Sequence, residues 1–286
     1  MKEGDIYVFP ATYLKNFAAE VFMHFGIAEA DAWQASDVLS RSDLRGIDSH
    51  GVARLHTYFD MLELGRINPK PKIKIVREKA TVATVDGDNG LGLVVGPKAN
   101  DMALEKAARY GSGWVTVAAS NHFGIAGYYP LQALKQDAIG WAMTNASPAV
   151  APIWSVQRML GTNPIAIAFP GLEEPAVVID MATSAVAFGK IQLACYNKES
   201  IPDGWAINSE GGPVNDPFAF DSTCSLVPLG GDRQRGGHKG YCLASMVDVL
   251  CGVLSGAAWG PFAPRFLTED SGSTRALGLI RSRSAR

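Results

Sequence analysis

Gly90-Leu-Gly92-Leu-Val-Val-Gly96 lies between an alternating, strand-like stretch and a helical one, the setting in which a dinucleotide-binding fingerprint belongs. In that fingerprint the glycines let the backbone approach a pyrophosphate at a helix N-terminus. Here the third glycine comes one residue late. No Asp or Glu follows in the next strand, residues 114–119, where the ribose partner would stand. The stretch therefore excludes a Rossmann domain, and the fold has to be built from its flanks.

Upstream, residues 72–76 and 80–85 alternate as half-buried strands do. Downstream, a helix is predicted over residues 97–110, followed by short apolar runs at 114–119, 141–143, 165–169 and 176–179 with helical stretches between several of them. Strands alternating with helices predict an α/β core whose sheet is covered on both faces. The first sixty-five residues differ. Leu14, Phe17, Ala18, Val21, Phe22 and Phe25 recur at helical spacing, with Gly26 as the stop. A second helix is predicted from Glu29 to Leu44, closed by Gly46. Ser49 suits the N-cap of a third, with Val52, Leu55, Phe59 and Leu62 on its buried face and Gly65 at its end. Asn68, Pro69 and Pro71 then form a boundary that no helix crosses. Two domains are expected: a helical one over 1–71 and an α/β region over 72–286.

Composition narrows the class. In 286 residues, 47% are apolar and 19% charged, which excludes intrinsic disorder. A formal net charge of −2 offers no general attraction to nucleic acid. The most apolar stretch, 241–259, is interrupted by Ser245, Asp248, Gly252, Ser255 and Gly256, so no membrane span is expected. The opening MKEGDIYVFP has no signal-peptide core. Cys195, Cys224, Cys242 and Cys251 show no zinc spacing and read as buried small hydrophobes in a reducing, cytoplasmic compartment. His50 and His56 are six apart and there is no H-E-x-x-H, so no metal is expected.

Four constellations remain as carriers of chemistry. In 42–54, SDLRGIDSHGVAR, a helix capped by Ser49 would set His50 and Arg54 one turn apart on one face, with Tyr58 a further turn along, opposite Val52, Leu55 and Phe59. Such a pair suits proton transfer beside a carboxylate held by a guanidinium fork. Two solvated residues at a helix start fit the same spacing. Ser120-Asn-His122-Phe-Gly124 stands at the carboxyl end of a strand, where α/β proteins bind ligands; a structural histidine is the alternative. Asp180, in VVIDMATS at 177–184, suits a ribose hydroxyl, an imidazole or plain helix capping. Gly230-Gly-Asp-Arg-Gln-Arg-Gly-Gly-His-Lys-Gly240 leads into a helix predicted near Tyr241 and suits an anion or cofactor phosphate. It fails as a Walker A loop, because Gly237 stands where Lys is required. A serine hydrolase has no G-x-S-x-G support.

Taken in order, DLRGIDSHGVARL (43–55), SNHFGIAGYY (120–129), GTNP (161–164), VIDMATS (178–184) and GGHKG (236–240) resemble the malate/L-lactate dehydrogenases of the non-Rossmann type, a family that includes ureidoglycolate, sulfolactate and diketogulonate dehydrogenases and a cyclic imino acid reductase. IPDGWAIN (201–208) and DPFA (216–219) fit it too, and the match covers about residues 11–278. The resemblance implies a mixed-sheet, non-Rossmann NAD(P)-binding α/β fold in a homodimer, with NAD favoured over NADP. It implies interconversion of a 2-oxo acid and a 2-hydroxy acid of malate or L-lactate type. Ureidoglycolate, a cyclic imine, or nucleotide binding without turnover are the alternatives. By position it implies His50 or His122 as the proton donor and Arg54 as the substrate carboxylate clamp. It places Ile179, Asp180, Met181, Ala182, His238 and Lys239 at the cofactor.

The last sixteen residues, SGSTRALGLIRSRSAR, fit neither a docking helix nor a pairing strand. The resemblance implies an apolar continuation after Gly278, where this sequence reads LIRSRSAR. A shortened C-terminus is therefore expected, exposing a sheet edge and apolar surface and lowering stability or solubility.

Overall fold

The computed structural model describes residues 9–264. The C-terminal stretch 271–286, with its basic residues, lies outside the described residues. Two helices open the described chain, α1 (Ala11–His24) and α2 (Glu29–Asp43). Their ends follow the glycines: Gly26 and Gly46 have φ of +82° and +72°, a conformation that stops a helix without a Cβ penalty. The buried stripe of α1 is narrower than its apolar pattern, since Ala18, Ala19 and Phe22 are buried while Phe17 is exposed.

The third predicted helix is broken. Residues 48–50 and 52–54 form two separate 3-10 turns, and α3 runs only over Leu55–Glu63. Gly51 causes the break. It lies in an extended conformation with its Cα pressed on the Asp43 carboxylate, where any Cβ would collide. That carboxylate, and not Ser49, accepts the Val52 N–H, at 2.9 Å. Leu55 and Leu62 of α3 are buried as expected, but Tyr58 and Met61 join them and Phe59 is exposed, so the buried face is turned from the expected one.

The first sheet contains β1 (Lys74–Glu78), β2 (Val82–Gly90) and β3 (Trp114–Ser120) in that order. β1 and β2 are antiparallel; β2 and β3 are parallel and joined by α4 (Gly92–Tyr110). α4 starts five residues before the predicted Pro97, because the Leu91 carbonyl already accepts the N–H groups of Val94 and Val95. After α5 (Tyr128–Ala133), β4 (Gly140–Met143), β5 (Ile165–Phe169) and β6 (Val177–Met181) form a second, wholly antiparallel sheet. In place of the expected single sheet covered on both faces there are two small three-stranded sheets, the first of mixed sense and the second antiparallel. β1 is exposed along its length, and Val177, Ile179 and Met181 of β6 are exposed as well.

α6 (Phe188–Asn197), the short pair β7 (Ala206–Ile207) and β8 (Ser225–Leu226), and α7 (Gly237–Asp248) complete the described fold. α7 passes into one π-helical stretch, Val249–Val253. The largest apolar cluster joins Phe22, Leu39 and Tyr58 of the N-terminal helices to Val85, Val95 and Val117 of the first sheet and α4. Cys224 and Cys251 are buried as expected, but Cys242 is exposed on α7. Among the described residues, no helix is long and apolar enough to cross a membrane.

Candidate active site

The glycines at 90–96 serve close packing. A Cβ on Gly92 would run into the carbonyl oxygens of Asn121 and His122, and one on Gly96 would press on the Tyr129 ring. β2 resumes its pairing at Gly90 with Ser120, the last residue of β3. Asn121 then fastens the strand end, its Nδ2 donating to the carbonyls of Asn89 at 2.8 Å and Gly90 at 3.1 Å. These contacts set His122 at the carboxyl end of β3 with its backbone fixed.

The other side of the site comes from the 3-10 turns and α3. The His50 and His122 rings stack with centroids 5.5 Å apart and planes 26° from parallel. Ser49 Oγ lies 2.9 Å from His50 Nδ1, and Tyr58 Oη lies 2.6 Å from His122 Nδ1. Arg54 turns back along the chain, donating from Nε to the Ser49 carbonyl at 2.8 Å. That bond leaves the two-nitrogen end of the guanidinium for a ligand, the geometry that receives a carboxylate. So the structure brings His50, Arg54, Tyr58 and His122 together, although through two tight turns and not through one continuous helix.

Electrostatics in this cluster are consistent. Burial, followed by the Arg54 charge, lowers the His50 pKa to about 4. Burial, then the charges of His50 and Arg54, hold His122 well below its ordinary value. Burial pushes the Tyr58 phenol up, against the pull of Arg54. At neutral pH both imidazoles are uncharged and the phenol keeps its proton.

A second group of residues surrounds β6 and the glycine loop. Asp180 lies inside the strand, paired with Ala166, and caps no helix; α6 begins only at Phe188. Its Oδ2 accepts the Gly127 N–H at 2.8 Å, and a Cβ on Gly127 would collide with that carboxylate. Burial raises the Asp180 carboxyl, opposed by the Gly127 bond and the Arg45 charge. Ile179 and Met181 pair with Ile167 and Ile165 and expose their side chains; Ala182 is half-buried at the strand's end. Beyond it the Thr183 carbonyl accepts the Leu229 N–H at 2.9 Å, which ties β6 to the loop before α7. α7 starts at Gly237, four residues earlier than expected, so His238 and Lys239 occupy its first turn. Gly236 enters that turn at φ +96°. Lys239 is exposed, and half-buried His238 lies 3.2 Å from an Arg233 guanidinium nitrogen through Nδ1. The Lys239 side chain and the N-terminus of a twelve-residue helix fit an anionic cofactor.

Spacing alone missed the residues that act across the chain. Asp43 and Gly127 each hold a site residue or its turn from a distance in sequence, while Gly124 meets His122 from two residues along the same loop. The one local signal was the glycine spacing in SNHFGIAG, which marks backbone kept free of side chains. A small cavity lined by Gly96, Trp114, Phe123, Tyr129 and Trp141 contains none of the four cluster residues.

The chain is similar in sequence and in fold to known proteins. A family profile described as malate/L-lactate dehydrogenase matches residues 9–281. The chain is 49% identical over 251 residues to a malate dehydrogenase of Pyrococcus abyssi, covering 87% of this chain and 69% of that protein. It is 45% identical over 239 residues to an L-sulfolactate dehydrogenase of Methanocaldococcus jannaschii, covering 84% and 67% respectively. The crystal structure of a malate dehydrogenase from Entamoeba histolytica superposes with a TM-score of 0.89 at 36% identity, over 96% of this chain and 76% of that one. The chain belongs to the malate/L-lactate dehydrogenase family, oxidoreductases of 2-hydroxy acids. Membership implies a nicotinamide cofactor and a small-molecule substrate.

Proposed function

We propose that this chain interconverts a 2-oxo acid and a 2-hydroxy acid of the malate or sulfolactate type, with NAD as cofactor. The supporting observation is the Arg54 guanidinium beside two stacked, uncharged imidazoles. Arg54 holds the substrate carboxylate, and a histidine then lies within reach of the adjacent carbonyl oxygen. A nicotinamide held beside them would supply hydride chemistry at the substrate carbon. His122 supplies the proton that the oxygen takes up, and His50 walls the ring and excludes water. A carboxylate bound at Arg54 cancels part of the charge that depresses both histidines, so substrate binding itself moves them toward a working range.

Asp180, with Ile179, Met181 and Ala182, lines the cofactor along β6, and His238 and Lys239 meet its phosphates. NAD is favoured because Asp232 binds Arg235, with Oδ2 2.9 Å from Nη2 and 3.0 Å from Nε, leaving less positive charge for a 2′-phosphate. In this reading residues 1–71 contribute His50, Arg54 and Tyr58, and the region over 72–286 contributes His122 and the cofactor face. The family resemblance supports a homodimer, and the composition supports a cytoplasmic enzyme.

The test is initial-rate oxidation of NADH and NADPH with oxaloacetate, pyruvate and 3-sulfopyruvate. Turnover with NADH and one of these oxo acids is expected. Absence of oxidation with either cofactor and all three would overturn the proposal.

A further inference from the structure

His122 Nδ1 receives more than one neighbour. Besides Tyr58 Oη at 2.6 Å, the Gly124 backbone N–H points at it from 3.3 Å. A backbone N–H can only donate, so Nδ1 has to present its lone pair. Tyr58 must then be the donor in its own bond, and the single proton of the neutral ring resides on Nε2. We propose that Tyr58 is a positioning residue: its hydroxyl, with the Gly124 N–H, locks the neutral His122 ring in the Nε2–H tautomer and so directs an N–H donor at the substrate carbonyl oxygen.

The hydroxyl is well placed for this. Tyr58 is 1% exposed and lies in the main core, edge-on to Phe22 with ring centroids 6.2 Å apart. A ring packed on that side has little freedom to turn, so the hydroxyl is held at one place. Leu55 and Met61 of the same helix are buried in the same cluster, which anchors α3 beneath the site. The burial that makes Tyr58 a reluctant acid keeps it a donor at every working pH. The opposite tautomer would set an N–H against the Gly124 N–H and leave the phenol without its acceptor, a cost typical of an unmade buried hydrogen bond.

The role rests on His122 being the proton donor, so the experiment separates the two ideas. In the full chain with 15N-labelled histidine, NMR should report His122 protonated at Nε2 and unprotonated at Nδ1, with no cofactor or substrate present. Tyr58→Phe keeps the ring and removes only the hydroxyl. It should raise the population of the other tautomer and lower kcat about tenfold with KM nearly unchanged. His122→Asn is the control, and its kcat should fall at least about a hundredfold. A wild-type spectrum with the proton on Nδ1 overturns the proposal outright, whether or not the variant folds. A Tyr58→Phe protein with unchanged tautomer and unchanged kcat overturns it too, even when His122→Asn is inactive. If His122→Asn retains turnover, the assignment of the proton donor fails instead, and the tautomer measurement alone then decides what Tyr58 does.

Discussion

The histidine cluster and the 230–240 loop are two solutions to binding one pair of reactants. In the cluster, side chains hold side chains. Tyr58 bonds His122, Ser49 bonds His50, and the rings stack within walls made by the N-terminal helices. In the loop, backbone holds backbone: Gly230, Gly231 and Gly236 all have φ above +70°, and the charged groups Arg233, Arg235 and Lys239 stand exposed. The difference follows from the chemistry each must perform. Moving a proton at neutral pH needs rings shielded from water, so that their pKa values answer to neighbours. Holding a phosphate needs N–H groups and positive charge at the surface, where an anion can reach them.

That contrast can be broken first at Gly240, where the largest effect is expected. Any Cβ there would collide with the backbone of Leu229, the residue that ties the loop to Thr183. Neither backbone has a side chain to swing away, so α7 must move off the loop. Gly240→Ala should destabilise the protein by about 1–3 kcal/mol and weaken cofactor binding, while the His122 tautomer stays as in the wild type. Denaturant unfolding and cofactor titration measure the two effects. A variant with wild-type stability and affinity would show that the loop does not depend on this contact.

pH sharpens the other half. The His50 pKa is about 4 in the fold against an ordinary 6.5. Between these values the unfolded chain takes up a proton that the folded chain refuses, so the contribution to stability is complete above pH 6.5 and is lost as pH falls toward 4. His122 acts in the same direction. Asp43, Asp101, Asp180 and Asp248 are raised and act in the opposite sense, so the wild type alone does not isolate the term. The difference between wild type and His50→Asn does: the variant should recover about 1–2 kcal/mol of relative stability between pH 7 and pH 4.5. Parallel pH profiles for the two proteins would mean that His50 is not shielded as described.

What sequence could foretell divides along the range of the interactions. α1, α2, β3 and β5 end close to their predicted limits because local signals set them: Gly26 and Gly46 as stops, and apolar runs of strand length. His50, Arg54 and His122 were legible as residues, and the ordered motifs carried their family. Their geometry was not legible. The helix expected from Ser49 fails because Asp43, eight residues before Gly51, claims the space a helix would use. Asp180 resembled a cap because its real partner, Gly127, is fifty-three residues away. The glycines of 90–96 resemble a phosphate site, while the use of Gly92 and Gly96, the close approach of the Asn121 and His122 backbone and the Tyr129 ring, is visible only once the chain segments meet.

The smallest effect belongs to Lys239, and it tests whether the loop's side chains matter beyond its backbone. Lys239 is exposed in the first turn of α7, so its removal uncovers no core and leaves no buried group without a partner. A positive charge at a helix N-terminus is slightly unfavourable by itself, because it meets the positive end of the helix dipole. Lys239→Ala should therefore leave stability unchanged or raise it by about 0.3–1 kcal/mol. With an anion in place the sign reverses: the lysine, the dipole and the backbone N–H groups all attract the phosphate. Cofactor affinity should fall by a few fold in the variant, and the loss should shrink as salt screens it. Titrations of wild type and variant at low and high ionic strength read both trends. If affinity is the same at both, the phosphate is bound by backbone alone, and the contrast between a side-chain site and a backbone site becomes complete.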